Sequence, residues 1–431
     1  MKRKNGKIFR AMLSGILATT CAMGAFVNTS CDSFEPVAEI VNKDGAAAVV
    51  TFVIDDGNHP TGTFSKAMMD KYDNLTFTYA LWTKDFGTLT LTDDGSEYLM
   101  KDGKYVYTQT DKQVENQLFW WEILKNGRSE AVSHTHTHSF WGTNDDGGEF
   151  EYVKNNEDKI SKATMPKGSV SKELYASMQI LQEVFPQNRF PNQRYNTLVL
   201  PGIGVRTSDY KTTDGKTVPT YNTFFTSLLT KAVQKDEYIG ARSTFQVTNT
   251  KDSASKVVMP ESLKSAKSRL AVPAYMIVDA NKGAKGVENW TAFIDHAVEK
   301  GGWACYCIHN ILTQPGGHYI LESDAEALFA HTYGKNIWVA TFTDAMLYYC
   351  QWSTATVETS YSGGKISVTV TDRENDEVFD APLTVKVTVP EKWTSAVCDG
   401  KALEIHYDDN GNAYVYVNIV PDSGSVEITQ G

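Results

Sequence analysis

Three short segments of the chain carry side chains that could do chemistry together. The first is Ile54-Asp55-Asp56-Gly57, directly after the apolar run 48–54. Two adjacent acids leaving a strand point to opposite sides, so one carboxylate could hold a cation while the other faces substrate. The same tripeptide can be an ordinary acidic turn, as Asp93-Asp94-Gly95 reads elsewhere in the chain. The second segment, Ser133-His134-Thr135-His136-Thr137-His138, gathers three of the 9 histidines into five residues. Imidazole is the commonest ligand for a zinc-like cation. The spacing leaves two ligand choices. One is the outer pair His134/His138, able to meet on one helical face or at a strand-to-helix junction; the other is a His-x-His pair that includes His136. A hydrogen-bonded polar cluster without a metal is the plain alternative. The third segment is His309, which ends the apolar run 303–308.

A cation held by two imidazoles and one carboxylate keeps coordination positions open. It makes a bound water easier to deprotonate. A second carboxylate can take that proton, and a separate histidine can protonate a leaving group. The cation and nearby backbone N–H groups can stabilise an oxyanion. That combination suits hydrolysis of an acyl group.

Such residues must be delivered to one rim by the fold. The uninterrupted apolar run 48–54 predicts a strand buried on both faces. Further strand-like segments occur at 75–81, 131–133, 197–200, 238–241, 274–278, 303–308 and 337–341. Helical patterns lie between them: Leu174, Met178 and Leu181 share one face, as do Val287, Trp290, Ile294 and Ala297. Strands alternating with helices predict an α/β domain over 47–352 with a parallel sheet, open or closed into a barrel, whose sites sit at the strands' carboxyl ends. Polar stretches at 83–116, 142–168 and 206–220 read as insertions. After residue 352 the pattern becomes period two, at 366–370, 383–389 and 413–417. This predicts a small all-β sandwich over 353–431.

Lys+Arg 41 against Asp+Glu 52 gives a net charge of −11. An acidic chain repels phosphate backbones, so no nucleic-acid partner is expected, and no protein partner is inferred. Residues 1–30 place five bases (Lys2, Arg3, Lys4, Lys7, Arg10) before an uncharged stretch, which reads as an export signal. Cys31 comes at its end, as in a bacterial lipoprotein signal, although Asn28 departs from the usual small or aliphatic residue. The chain is therefore expected outside the cytoplasm, secreted or lipid-anchored through Cys31 in the cell envelope, with 31–46 as a linker. Cys305, Cys307, Cys350 and Cys398 are too few for a disulfide framework and read as buried thiols.

The order of these motifs resembles the NodB-type polysaccharide deacetylase family (carbohydrate esterase family 4). Thr51-Phe52-Val53-Ile54-Asp55-Asp56-Gly57 is similar to the family's first motif, His134-Thr135-His136-Thr137-His138 to its second, and Cys307-Ile308-His309 to its last. The resemblance spans about residues 47–350. It implies a distorted (β/α) barrel with Asp55 as general base, His309 as general acid, and Asp56, His134 and His138 as ligands of a divalent metal. Zinc is the default, with cobalt or nickel fitting the same donors. The implied substrate is an acetylated carbohydrate, N- or O-linked. Two departures stand out. The third motif's arginine, which orients the base, is absent from Leu198-Val199-Leu200-Pro201-Gly202, leaving Arg206 or Arg242 to supply it. The fourth motif's aspartate is best matched by Asp279.

A catalytically degenerate, glycan-binding protein is the main alternative. It would use the β domain and aromatic residues such as Trp120, Trp121, Trp141 and Tyr152, each of which can equally be core. An amidohydrolase-like site on a His-x-His pair is a third reading.

Overall fold

The computed structural model describes residues 34–138, 148–153, 160–201, 210–211, 217–218, 222–245, 253–277 and 284–431. Residues 36–431 form one compact unit. Its first strand, β1 (Ala38–Val41), belongs to a sheet completed by C-terminal strands. Eight parallel strands then alternate with helices: β2 (Ala48–Ile54), α1 (His59–Lys71), β3 (Phe77–Leu81), α2 (Asp111–Leu124), β4 (Ser129–Ser133), α3 (Ser171–Val184), β5 (Thr197–Val199), α4 (Asn222–Gln234), β6 (Gly240–Phe245), β7 (Val272–Met276), α5 (Ala284–Lys300), β8 (Trp303–Ile308), α6 (Glu322–Ala330), β9 (Ile337–Val339) and α7 (Phe342–Thr354). Each of the eight strand-like runs read from the sequence overlaps one of these strands, the poorest match being 238–241, which shares only its last two residues with β6.

The sheet closes into a barrel, with an irregularity at β2. One edge of β2 pairs along its length with β8, from Trp303↔Val49 to Ile308↔Ile54. The other edge is shared. Its amino half pairs with β9 (Ile337↔Ala48 to Val339↔Val50), and its carboxyl end pairs with β3 (Val53↔Thr78, Ile54↔Tyr79). The Thr76 hydroxyl donates to the Val339 carbonyl (3.1 Å) where β3 and β9 meet. The closed ring thus has seven strands, β2-β3-β4-β5-β6-β7-β8, with β9 wedged in from below.

Period two sorts the side chains. Ala48, Val50, Phe52 and Ile54 pack outward in one cluster with Phe329, Trp120 and Tyr306. Thr51 faces inward, where its hydroxyl accepts from the Trp303 indole N–H (3.0 Å). Asp55 and Cys307 continue that inward register to the carboxyl rim. The barrel's lower end is closed by the start of α7. The Thr343 amide donates to Glu130 Oε1 (2.9 Å), which also accepts from the Thr78 hydroxyl (2.8 Å), while Thr197 and Thr343 share a hydroxyl–hydroxyl bond (2.6 Å).

Two antiparallel sheets complete the molecule beyond the barrel. One has the strand order Ala38–Val41, Leu383–Thr388, Ala413–Ile419, His406–Tyr407. The other runs Thr356–Ser362, Lys365–Thr371, Ser425–Gln430, Ala396–Cys398, Lys401–Leu403. Alternate residues are buried, among them Ile366, Val368 and Val370 in one sheet and Val415, Val417 and Ile419 in the other. Part of the stretch 31–46, expected to be a linker, is therefore a strand. Ala38–Val41 covers the edge of Leu383–Thr388, an edge that would otherwise expose unpaired backbone groups. Four residues are too few for a periodicity to be legible. The buried, bidentate Arg269–Glu374 pair (2.8 and 2.7 Å) ties the barrel to this β region. So do the bonds from Tyr348 to the Val41 carbonyl (2.6 Å) and from Tyr349 to Asn42 (2.9 Å).

Among the described residues, no helix is long and apolar enough to cross a membrane. The four cysteines from Cys305 onward are free and buried.

Candidate metal centre

Asp55 and Asp56 leave the carboxyl end of β2 in a tight turn. Asp56 (φ 70°) and Gly57 (φ 66°) both adopt the left-handed conformation, one that aspartate and glycine tolerate best. The turn throws the two carboxylates apart, as adjacency predicts. Asp55 continues inward, almost wholly buried, and Asp56 stays half-exposed at the rim.

The histidines come directly after β4. His134 is the first residue past the strand, held by its amide bond to the Leu81 carbonyl (3.0 Å). Thr135 (φ 66°) and His138 (φ 54°) then bend the chain back on itself. The outer pair therefore meets across an irregular loop, with no helix involved. Non-glycine residues at positive φ cost energy and persist where surrounding contacts enforce them. Those contacts are present. The Thr83 amide donates to the Thr135 carbonyl (3.3 Å) and the Lys84 amide to that of His136 (3.0 Å). Glu173 on α3 accepts from both the amide and the hydroxyl of Thr137 (2.8 and 2.7 Å). Lys172 lies 2.9 Å from Glu173 and, with Thr137, holds its carboxyl below the ordinary range against the upward push of burial.

Asp56, His134 and His138 converge. Asp56 Oδ1 lies 3.4 Å from His134 Nε2 and 3.5 Å from His138 Nε2. The edges of a tetrahedron of ~2.1 Å metal bonds are roughly 3.4 Å, so these donor separations match a coordination sphere. His134 decides the tautomer. Its Nδ1 lies 2.8 Å from the Val199 carbonyl, which can only accept, so Nδ1 carries the proton. Its Nε2 is then buried without a hydrogen-bond partner, 3.4 Å from Asp56 and 3.7 Å from Asp55. A lone pair facing two carboxylates calls for a cation between them. Asp56 is held well below the usual carboxylate range: burial works against this, but the neighbouring imidazoles, His134 foremost and then His309 and His138, outweigh it.

His136 does something else. It is buried, with its Nδ1 2.9 Å from the Thr83 hydroxyl, and burial pushes its pKa down to about 4. It is a neutral strut under the loop, so the His-x-His choice does not form the cluster.

Asp55 is gripped by Arg242 from β6. Nη1 donates to Oδ1 (3.0 Å) and Nη2 to Oδ2 (2.6 Å), and the arginine is fully buried. Burial alone would raise the Asp55 carboxyl. Arg242, His134 and His309 overcome this and keep it ionised below its ordinary pKa. Arg242 is one of the two arginines left open by the sequence; the other, Arg206, lies outside the described residues, as does Asp279. His309 stands beyond β8 with Nε2 4.0 Å from Asp55 Oδ2, mostly buried, its pKa lowered chiefly by burial.

Asp55, Cys307 and His309 also lie close enough together to hold an ion. Arg242 already occupies both oxygens of Asp55 with positive charge, and burial pushes the Cys307 thiol far up, so it stays protonated. The cation is better served by Asp56, His134 and His138, which the guanidinium does not contact.

Sequence reasoning missed Trp82. This residue sits just past β3, donates its indole N–H to Asp56 Oδ1 (3.1 Å), and lays its ring 4.6 Å from His138. Its position one residue past a buried strand is the only signal the sequence offers. Of the aromatic residues considered for stacking, Trp120 is buried against Tyr79, and Trp121 donates its indole N–H to the Val184 carbonyl (2.7 Å) while Arg189 covers its ring. Trp141 and the Tyr152 side chain lie outside the described residues.

A clustered Asp/His/Cys site capable of coordinating a metal therefore crowns the barrel, an arrangement consistent with metal-assisted hydrolysis.

No family model matches the chain. A protein described as gellan lyase, from a Bacillus species, is 29% identical over 214 residues, covering 46% of this chain. The chain spans only 8% of that protein's length. Among solved structures, the peptidoglycan deacetylase PdaC of Bacillus subtilis aligns at 11% identity and a TM-score of 0.31, over 69% of this chain and 89% of its own. The Xyl-CE4 domain of a multidomain xylanase from the hindgut metagenome of Trinervitermes trinervoides aligns at 10% and 0.26, over 61% and 87%. A glycoside hydrolase family 5 protein of Bacteroides vulgatus aligns at 11% and 0.36, over 88% of each chain. Likeness at this level leaves the chemistry to be read from the site itself.

Proposed function

We propose that this chain is a metal-dependent hydrolase of the NodB polysaccharide-deacetylase type, removing N- or O-linked acetyl groups from a carbohydrate. The observation that carries the reading is the buried, partnerless Nε2 of His134, facing two carboxylates at the spacing of a coordination polyhedron. Asp56, His134 and His138 would hold a divalent cation; zinc is favoured by the two imidazoles and one carboxylate, and cobalt or nickel suit the same set. When bound, the cation supplies Lewis acidity for a water and for the acetyl oxygen.

The chain's own residues do the rest. Asp55, ionised and fixed in orientation by Arg242, takes a proton at its carboxylate. His309, across from it, gives one to the departing amine or alcohol. Trp82 restrains Asp56 and walls one side of the site. Arg242 provides from a different strand the base-orienting guanidinium that Leu198-Val199-Leu200-Pro201-Gly202 lacks, which favours turnover over binding alone.

Carbohydrate as the substrate class is supported by the motif resemblance and by the match to a segment of a protein named for gellan. We also propose export with lipid attachment at Cys31, which lies outside the described residues, and a sandwich arrangement for the two C-terminal sheets.

The test is metal content together with acetate release from acetylated xylan, chitin oligomers and peptidoglycan. The wild type is expected to hold one equivalent of metal and release acetate from at least one substrate, and His134→Ala to lose both. Undiminished acetate release in His134→Ala would overturn the proposal.

A further inference from the structure

A cavity of about 500 Å³ lies at the other end of the barrel, lined by Asp44, Asn336, Glu404, His406, Tyr414 and Tyr416, among others. Asn336 immediately precedes β9, which runs parallel to β2 from its amino end. The cavity is therefore remote from the carboxyl rim that bears Asp55 and His309.

Its wall is aromatic. Tyr414 and Tyr416 alternate with the buried Val415 and Val417, so both rings project from the outer face of their sheet. His406 stacks near Tyr414 (5.4 Å, 26°) and lies 5.2 Å from Tyr416. The Tyr416 ring presses on Gly45: a Cβ added there would come within 2.3 Å of it, and Gly45 has φ +72°. Glycine at this position lets the ring lie against the backbone.

The rim is polar and braced. Asn418 donates to Asp44 Oδ1 (2.9 Å), the Asp44 amide donates to the Thr384 hydroxyl (2.8 Å), and Asn336 donates to the Gly45 carbonyl (2.9 Å). The Glu404 carboxylate and the His406 ring nitrogens have no hydrogen-bond partner among the described residues. Aromatic faces beside fixed hydrogen-bonding groups match a ligand with an apolar C–H face and hydroxyl edges, and a preorganised rim lowers the entropy cost of binding.

Charge narrows the choice. The lining carries two carboxylates, Asp44 and Glu404, and no lysine or arginine. Lys386 lies over the Tyr414 ring (4.6 Å), but Glu39 accompanies it at 3.5 Å. Uronates, sulfates and phosphates would be repelled.

We propose that this cavity is a binding subsite for a neutral saccharide unit, separate from the metal centre. It would hold a neutral stretch of polysaccharide against the β region, independently of the chemistry at the barrel's upper rim.

The experiment is calorimetric titration of the full chain with cellohexaose, xylohexaose and chitohexaose, with choline as a cationic control. At least one hexasaccharide should bind to wild type and equally to Asp56→Asn, which alters only the upper rim. Tyr414→Ala should weaken that binding about tenfold or more, Tyr414→Phe should largely retain it, and Glu404→Ala, at an exposed position, should weaken it without altering thermal unfolding. Failure of all three hexasaccharides to bind, binding unaffected by Tyr414→Ala and Glu404→Ala, binding lost in Asp56→Asn, or binding of choline alone would each overturn the proposal. Because the readout is binding at a distant site, it stands or falls independently of acetate release.

Discussion

Arg242 grips both oxygens of Asp55, at 3.0 and 2.6 Å, across the interior of the barrel, and solvent reaches neither side chain appreciably. The arginine comes from β6, one strand beyond the segment where the resembled family carries it. Two inward-facing positions on neighbouring strands of a closed barrel can deliver the same guanidinium to the same carboxylate.

Removing one partner of a buried ion pair leaves the other charge uncompensated, at a cost of about 3–5 kcal/mol. Arg242→Met is therefore expected to lower stability by that order in denaturant unfolding. Arg242→Lys keeps the charge without the two-pronged grip. It should fold with a smaller loss and release acetate at least tenfold more slowly at pH 7. Equal rates for Arg242→Lys and wild type would show that Asp55 does not need to be held in place.

His136 and His138 sit two residues apart and should respond oppositely. His138→Ala is expected to abolish tight metal binding while leaving the metal-free protein's melting temperature nearly unchanged. His136→Ala should retain one equivalent of metal but lose about 1–3 kcal/mol, because it leaves the buried Thr83 hydroxyl without its partner. Elemental analysis and thermal unfolding of both variants in chelator separate the two outcomes.

Trp82 restrains Asp56 Oδ1 through a single indole N–H at 3.1 Å. Trp82→Phe preserves most of the ring beside His138 and deletes that bond. Partners that orient a metal ligand typically contribute 10- to 100-fold in affinity, so metal dissociation constants from a competing chelator should rise by about that factor. An unchanged constant would reduce Trp82 to a wall of the site.

Glu130 provides a pH signature far from the metal. Burial raises its carboxyl from an ordinary value near 4.5 to about 7, with the neighbouring Asp344 adding to the rise. The native state thus keeps a proton that the unfolded chain has already released. Its contribution to stability is fully present below about pH 4.5 and is lost as pH rises through 7. Glu130→Gln, neutral at every pH, should flatten that dependence and be more stable than wild type at pH 8, by up to about 3 kcal/mol. Parallel stability curves for the two proteins between pH 5 and 8 would contradict this.

The run Ala48–Ile54 shows how much a sequence can settle. Seven apolar or β-branched residues ending in two acids and a glycine can scarcely be anything but a strand buried on both faces, and such a strand carries the two acids to its carboxyl end. The same logic delivered His309 after Trp303–Ile308 and His134 after Ser129–Ser133. Local patterns therefore sufficed for the alternation of strands and helices and for placing Asp55, Asp56, the histidine cluster and His309 at strand ends, while leaving the sheet open or closed. They could not choose between His136 and His138, because that depends on where Thr135 and His138 enter the left-handed region and on bonds from Thr83, Lys84 and Glu173, which lie far off in the chain.

Nor could they choose between Arg206 and Arg242 as the partner of Asp55. Arg242 lies 187 residues away on a strand with no motif around it, and only closure of the ring makes the two neighbours across the interior. Trp82, the seating of β9 beneath β3, and the return of Ala38–Val41 to a sheet built from the far end of the chain are of the same kind. Residue type and local period determine which elements form and which chemical groups they carry. Pairing across the barrel, where distance in sequence has no bearing on distance in space, decides which groups meet.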